Sequence, residues 1–107
     1  MKNENHVKNL LNNEKIEDTK NDNCIIKFSA DWCGPCKQYV NIFEDVAKEN
    51  TNISFYNVDI SHDLSKTYNV RALPFTIFLK KNNLVFEQPG LLDKEKLNNL
   101  IEKYFNN

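Results

Sequence analysis

Cys24-Ile25-Ile26-Lys27-Phe28-Ser29-Ala30-Asp31-Trp32-Cys33-Gly34-Pro35-Cys36 is the stretch whose reading decides the fold. Its first half, through Ala30, is apolar at nearly every position, as in a strand covered on both faces; Lys27 interrupts it. Its second half opens a helix. Proline is accepted in a first helical turn, as at Pro35, and Cys36, Tyr39, Val40, Phe43 and Ala47 then fall on one stripe running to about Glu49. Ile53 to Val58 predicts a second strand, and strand, helix and strand at this spacing make a right-handed βαβ unit with parallel strands.

Outward from this unit the signals vary in strength. On the N-terminal side, residues 1–22 are polar and weakly patterned, with a short edge strand expected over His6–Leu11 and a short helix over Asn12–Lys20. On the C-terminal side, Ser61 is expected to cap a short helix reaching Tyr68. Thr76–Leu79 and Leu84–Phe86 flank a turn at Lys80–Asn83, whose two asparagines tolerate positive φ, so an antiparallel hairpin is expected. Asp93 then caps a last helix carrying Leu97, Leu100, Ile101, Tyr104 and Phe105 on one stripe. The order is βαβ, short helix, ββα in one domain spanning 1–107, with no repeat or linker.

The chain of 107 residues can bury one core without metals or structural disulfides. Its net charge of −1, without a basic face, gives no reason to expect nucleic acid or an anionic membrane as partner. No stretch has the apolar length to span a bilayer, and residues 1–22 resemble neither a signal peptide nor a transit peptide, so a cytoplasmic location is expected. Asparagine is the commonest residue and Arg71 the only arginine, a bias of source rather than of chemistry.

Chemistry concentrates at Trp32–Cys36. A free thiol is mostly protonated near neutral pH, so a nucleophilic cysteine needs its thiolate stabilised. At a strand-to-helix junction Cys33 is expected to be exposed, with unpaired amides and the positive end of the helix dipole aimed at its sulfur. One turn on, Cys36 lies close enough to close a disulfide, while Gly34 and Pro35 fix the turn and leave little side chain in the way. Cys33 would attack a disulfide, form a mixed disulfide, and be released by attack from Cys36. The competing reading is half of a zinc site. Its further ligands would have to come from Cys24, His6 and His62, which are scattered; no metal and no cofactor is expected. Cys24 reads as an inert buried thiol, and both histidines as surface residues.

Phe28 to Lys37 resembles the active-site signature of the thioredoxin family nearly letter for letter, and a CxxC beside a βαβ pattern is a sign of that family. Val70-Arg71-Ala72-Leu73-Pro74-Phe75-Thr76 resembles its cis-proline segment, Asn57-Val58-Asp59 the end of its third strand, and Gly90 the glycine before its last helix. The resemblance covers residues 24–105. It implies an α/β thioredoxin fold, a mixed sheet of four to five strands flanked by helices. It also implies a cis Leu73–Pro74 bond and a substrate groove formed by Trp32, the Leu73 backbone with Pro74, and Gly90; beside the groove wall Trp32 is expected to keep a partial packing role. The partners implied are disulfide-containing client proteins and an upstream reductase, by family a thioredoxin reductase, with the chain a monomer.

Two positions depart from the family. Lys27 stands where thioredoxins usually hold a buried aspartate that moves the proton of the second cysteine, and Phe55 where a lysine is frequent. Lys27 either snorkels to solvent or takes part in the chemistry. Asn41 replaces the proline that commonly kinks the active-site helix. The reading is a dithiol reductase of protein disulfides. Its rivals are a more oxidising oxidase or isomerase, on account of Lys27, and a thioredoxin-fold binding or structural module with incidental cysteines.

Overall fold

The computed structural model describes residues 6–16 and 21–105. β1 (Val7–Leu10), β2 (Asn23–Ser29), α1 (Gly34–Glu49), β3 (Ser54–Asp59), α2 (Leu64–Thr67), β4 (Phe75–Lys80), β5 (Asn83–Pro89) and α3 (Lys94–Phe105) follow in that order. The sheet order is β1-β3-β2-β4-β5. β1, β3 and β2 run parallel, whereas β4 and β5 join antiparallel. The mixed five-stranded sheet of one domain is thus formed as expected.

β2 lies at the centre because both of its faces are apolar. Ile25 belongs to the core shared with Tyr39, Phe43 and Val46 of α1 and with Leu97, Ile101 and Phe105 of α3. Ile26 and Phe28 point the other way, into a core with Val58, Phe75 and Ile77 that is edged by Leu64 and Tyr68. α1 runs unbroken from Gly34 to Glu49, and Asn50 closes it by donating Nδ2–H to the Val46 carbonyl at 2.8 Å. Asp93 caps α3 by accepting the Lys96 N–H at 2.7 Å, as its position predicts. Val40 departs from the stripe expected of α1. It is exposed, while Val46 takes the buried place, because Val40 faces an open pocket lined also by Val7, Asn9 and Glu44.

Three further local expectations are corrected. In the hairpin, Asn82 takes positive φ but its companion is Lys81, at 52°, and Asn83 is already the first residue of β5. Both central residues of a two-residue hairpin must be left-handed to match strand twist, so position overrides residue preference. Ser61 caps nothing. Its hydroxyl and its N–H both go to Asp59 Oδ2, at 2.6 and 2.9 Å, and the Leu64 N–H finds His62 Nδ1 at 3.0 Å instead. His62 is therefore buried rather than superficial, its Nε2 reaching the Glu14 carbonyl at 2.9 Å. Asn12 and Asn13 form a turn, closed by the Glu14 N–H to the Leu11 carbonyl at 2.9 Å, and no helix follows through Ile16. The remainder of the helix expected to Lys20 lies outside the described residues. The edge strand expected over His6–Leu11 is β1, and His6 bonds Glu44 of α1 at 2.9 Å through both its backbone N–H and its ring.

Candidate active site

β2 ends at Ser29 and α1 begins at Gly34, so the cysteines fall at the C-terminal edge of the sheet. Cys33 has extended backbone (φ −92°, ψ 113°) and occupies the N-cap position of α1, where its Sγ accepts the Cys36 N–H at 3.2 Å. A sulfur thus stands where a serine or aspartate oxygen would normally satisfy an orphan helix donor. No acidic residue lies in the first turn of α1 to oppose negative charge on that sulfur.

Cys33 and Cys36 form a disulfide, with Cα atoms 5.3 Å apart. Against expectation Cys33 is 6% exposed in this state, packed with Cys36 and Ala30 and covered by Ile60 and Leu73. Trp32 is corrected in the opposite sense. It is 77% exposed and so offers its indole to solvent rather than to the core. Gly34 and Pro35 are exposed as well. A Cβ built on Gly34 meets nothing, and its φ is ordinary, so the fold does not require glycine there; what glycine leaves is open space beside the disulfide.

Leu73–Pro74 is cis, and Leu73 packs against the cysteine pair from a segment distant in sequence. The Pro74 carbonyl accepts the Gly90 N–H at 2.8 Å, which ties the end of β5 to the start of β4. Gly90 has φ +93°, a conformation that disfavours any side chain even though the surrounding space is empty. Cys33, Cys36, Leu73 and Pro74 are thereby brought into one neighbourhood. Gly90 joins it through the backbone, and Trp32 stands at its outer edge.

Lys27 does not snorkel. It is 3% exposed, with its Nζ donating to Asn57 Oδ1 at 2.7 Å and lying 5.5 Å from the centre of the Phe43 ring. Burial lowers its pKa from 10.5 to about 8. Asn57 Oδ1 also accepts the Ser29 hydroxyl at 2.9 Å, and Asn57 Nδ2 donates to Asn9 Oδ1 at 3.1 Å. An open pocket of about 190 Å³ is lined by Lys27, Asp31, Cys36, Lys37 and Asn57 among others. Asn57 as the amine's partner was missed in the sequence. The available signal was register, since Asn57 is the cross-strand neighbour of Lys27. Cys24 is buried and lies outside the disulfide, and among the described residues no cluster could hold a metal ion.

The family model "Thioredoxin" matches residues 3–103. Thioredoxin of Mycoplasmoides gallisepticum is 30% identical over 99 residues, covering 91% of this chain and 98% of its own. Thioredoxin of Chlamydia pneumoniae is 39% identical over 82 residues, covering 75% and 80% respectively. The solved thioredoxin of Plasmodium falciparum superposes with a TM-score of 0.73 at 31% identity, over 80% of this chain and 85% of that one. A sulfur-capped helix, a closed cysteine pair and these likenesses lead to one conclusion: the chain belongs to the thioredoxin family and is a thiol–disulfide oxidoreductase.

Proposed function

We propose that the chain is a dithiol reductase of protein disulfides, in which Cys33 attacks and Cys36 resolves. The Cys36 N–H aimed at Cys33 Sγ carries the assignment of roles, because the same amide that meets the sulfur in the disulfide would stabilise the Cys33 thiolate once the pair is reduced. The Cys33 thiolate attacks a client disulfide and expels one client thiolate. Cys36, deprotonated, then attacks Cys33 Sγ, and the second client sulfur leaves with the electron pair. Two electrons pass to the client, and the Cys33–Cys36 disulfide left behind is the state described above. An upstream reductase, by family a thioredoxin reductase, restores the dithiol.

The client chain would lie across Trp32, the Leu73–Pro74 backbone and Gly90. The exposed indole and the empty space at Gly34 support that placement. A monomer working in a reducing cytoplasm fits this cycle. One observation favours a more oxidising variant: a buried amine on the pocket that Cys36 also lines, where it carries charge, stabilises thiolates and so the reduced form.

Reduction of insulin, followed by turbidity with dithiothreitol as the electron source, tests the reading. Cys33→Ser should abolish turnover, and Cys36→Ser should trap client proteins as mixed disulfides. Failure of the wild-type chain to accelerate insulin reduction above the dithiothreitol background would leave a binding module as the better description, and turnover that survives Cys33→Ser would overturn the assignment of roles.

A further inference from the structure

Resolution of the mixed disulfide requires Cys36 to give up a proton in a place where it is 3% exposed. The groups around it limit what can accept that proton. Asp31 and Lys37, which line the same pocket, are exposed side chains facing bulk solvent. From the strands, β1 offers Asn9, β3 offers Asn57 and β4 offers Thr76, none of which titrates in the useful range. From α1, Tyr39 is engaged with Thr76 Oγ1 at 2.8 Å and held protonated by burial up to about 12, and Glu44 is held by His6. Lys27 remains.

We propose that Lys27 is the proton acceptor for Cys36 in the step that releases the client, the proton crossing the pocket the two residues share. This rests on the reductase reading above. In the step, the Cys36 proton moves through a bridging water to the neutral Nζ, leaving an ammonium and a thiolate. The thiolate attacks Cys33 Sγ, the client thiolate departs and is protonated by solvent, and the ammonium returns its proton to solvent through the open mouth of the pocket. A volume of about 190 Å³ holds several waters.

The surroundings suit the role. Asn57 Oδ1 accepts one hydrogen from Nζ and fixes the amine, leaving its lone pair free when neutral. Among the described residues no carboxylate pairs with Lys27 to lock it in the charged form. A pKa of about 8 leaves about one-tenth of the amine neutral at pH 7, and it lies close to that of an ordinary thiol. Lys27 acts through water and is a positioning residue for the proton, so the test must read more than lost activity.

Rapid acid quenching and mass measurement separate formation of the Cys33–client mixed disulfide from its decay. Decay in the wild-type chain should rise with pH with a midpoint near 8. In Lys27→Met, decay at pH 7 should be about a hundredfold slower and its midpoint displaced upward, with formation unchanged. Lys27→Arg keeps a positive charge that cannot be given up, and it should be as slow as Lys27→Met. Wild-type decay in Lys27→Met overturns the proposal. So does rescue by Lys27→Arg, which would assign the effect to standing charge. Absence of any mixed disulfide in the wild-type chain would instead overturn the reductase reading on which the proposal rests.

Discussion

Two rows of side chains cross the same face of the sheet beneath α1, two residues apart on every strand, and they could hardly differ more. One runs Val7, Phe55, Ile25, Phe78, Phe86. The other, nearer the cysteines, runs Asn9, Asn57, Lys27, Thr76, Gln88. The first is hydrocarbon from edge to edge and meets the rings of α1 and α3: Phe43 is 5.2 Å from Phe55, and Phe105 is 5.1 Å from Phe78. The second is polar from edge to edge and is held by hydrogen bonds among Asn9, Asn57 and Lys27 and between Thr76 and Tyr39. Identical backbone thus supports two kinds of interior: one row buries hydrocarbon, while the other buries hydrogen-bonded polar groups and holds a titratable amine on the pocket that Cys36 also lines.

The comparison breaks most visibly in the apolar row. Phe78→Ala should destabilise the protein by about 3–5 kcal/mol, since the ring is wholly buried against Phe86, Tyr104 and Phe105. Urea unfolding measures the loss, and insulin reduction by the folded fraction should be unchanged.

In the polar row the sign reverses. Lys27→Met should stabilise the fold at pH 7 by about 2 kcal/mol, because the folded chain disfavours the charged amine that the unfolded chain carries freely. Between about pH 8 and 10.5 the unfolded wild-type chain binds the Lys27 proton and the native one does not, so wild-type stability rises with pH there and the advantage of methionine fades. Taking the difference between the two proteins at each pH cancels Tyr39, whose raised pKa makes both less stable above pH 10. Advantage for methionine that persists above pH 10.5 would mean that packing, not charge, was at issue.

Thr76→Val sharpens the contrast, for it leaves the buried Tyr39 hydroxyl without its partner and should cost about 1–2 kcal/mol with the redox rate intact. Asn9→Ala, at the exposed end of the row, should shift the urea midpoint by no more than about 0.5 kcal/mol in stability.

Much of this architecture was legible in the residues. The doubly apolar β2, the proline-started α1 and the Asp93 cap are local patterns with local causes, and the cysteine pair is itself a local motif. What escaped depends on partners far along the chain. His62 is buried because the Glu14 carbonyl, 48 positions away, accepts from it, and Ser61 fails as a cap because Asp59 is the nearer acceptor. Lys27 could not be settled as snorkelling or buried until the register set Asn57 beside it. Trp32, apolar and next to a helix, invites burial by composition, yet the junction turns it outward.

The site also divides by how far apart its parts lie in the chain. Cys33 and Cys36 are three positions apart and can find each other at any stage, whereas Leu73, Pro74 and Gly90 reach them only once β4 and β5 have joined the sheet. During synthesis at about 5–20 residues per second, both thiols exist for several seconds before the segment that will cover them has been made. A nascent chain in that interval carries a dithiol with neither its groove nor its packing, and any disulfide it meets can be attacked by either thiol, which expels one thiolate and leaves a mixed disulfide. The three-position spacing then favours attack by the neighbouring thiolate, which closes Cys33–Cys36 and expels the second foreign sulfur as a thiolate before a further molecule arrives.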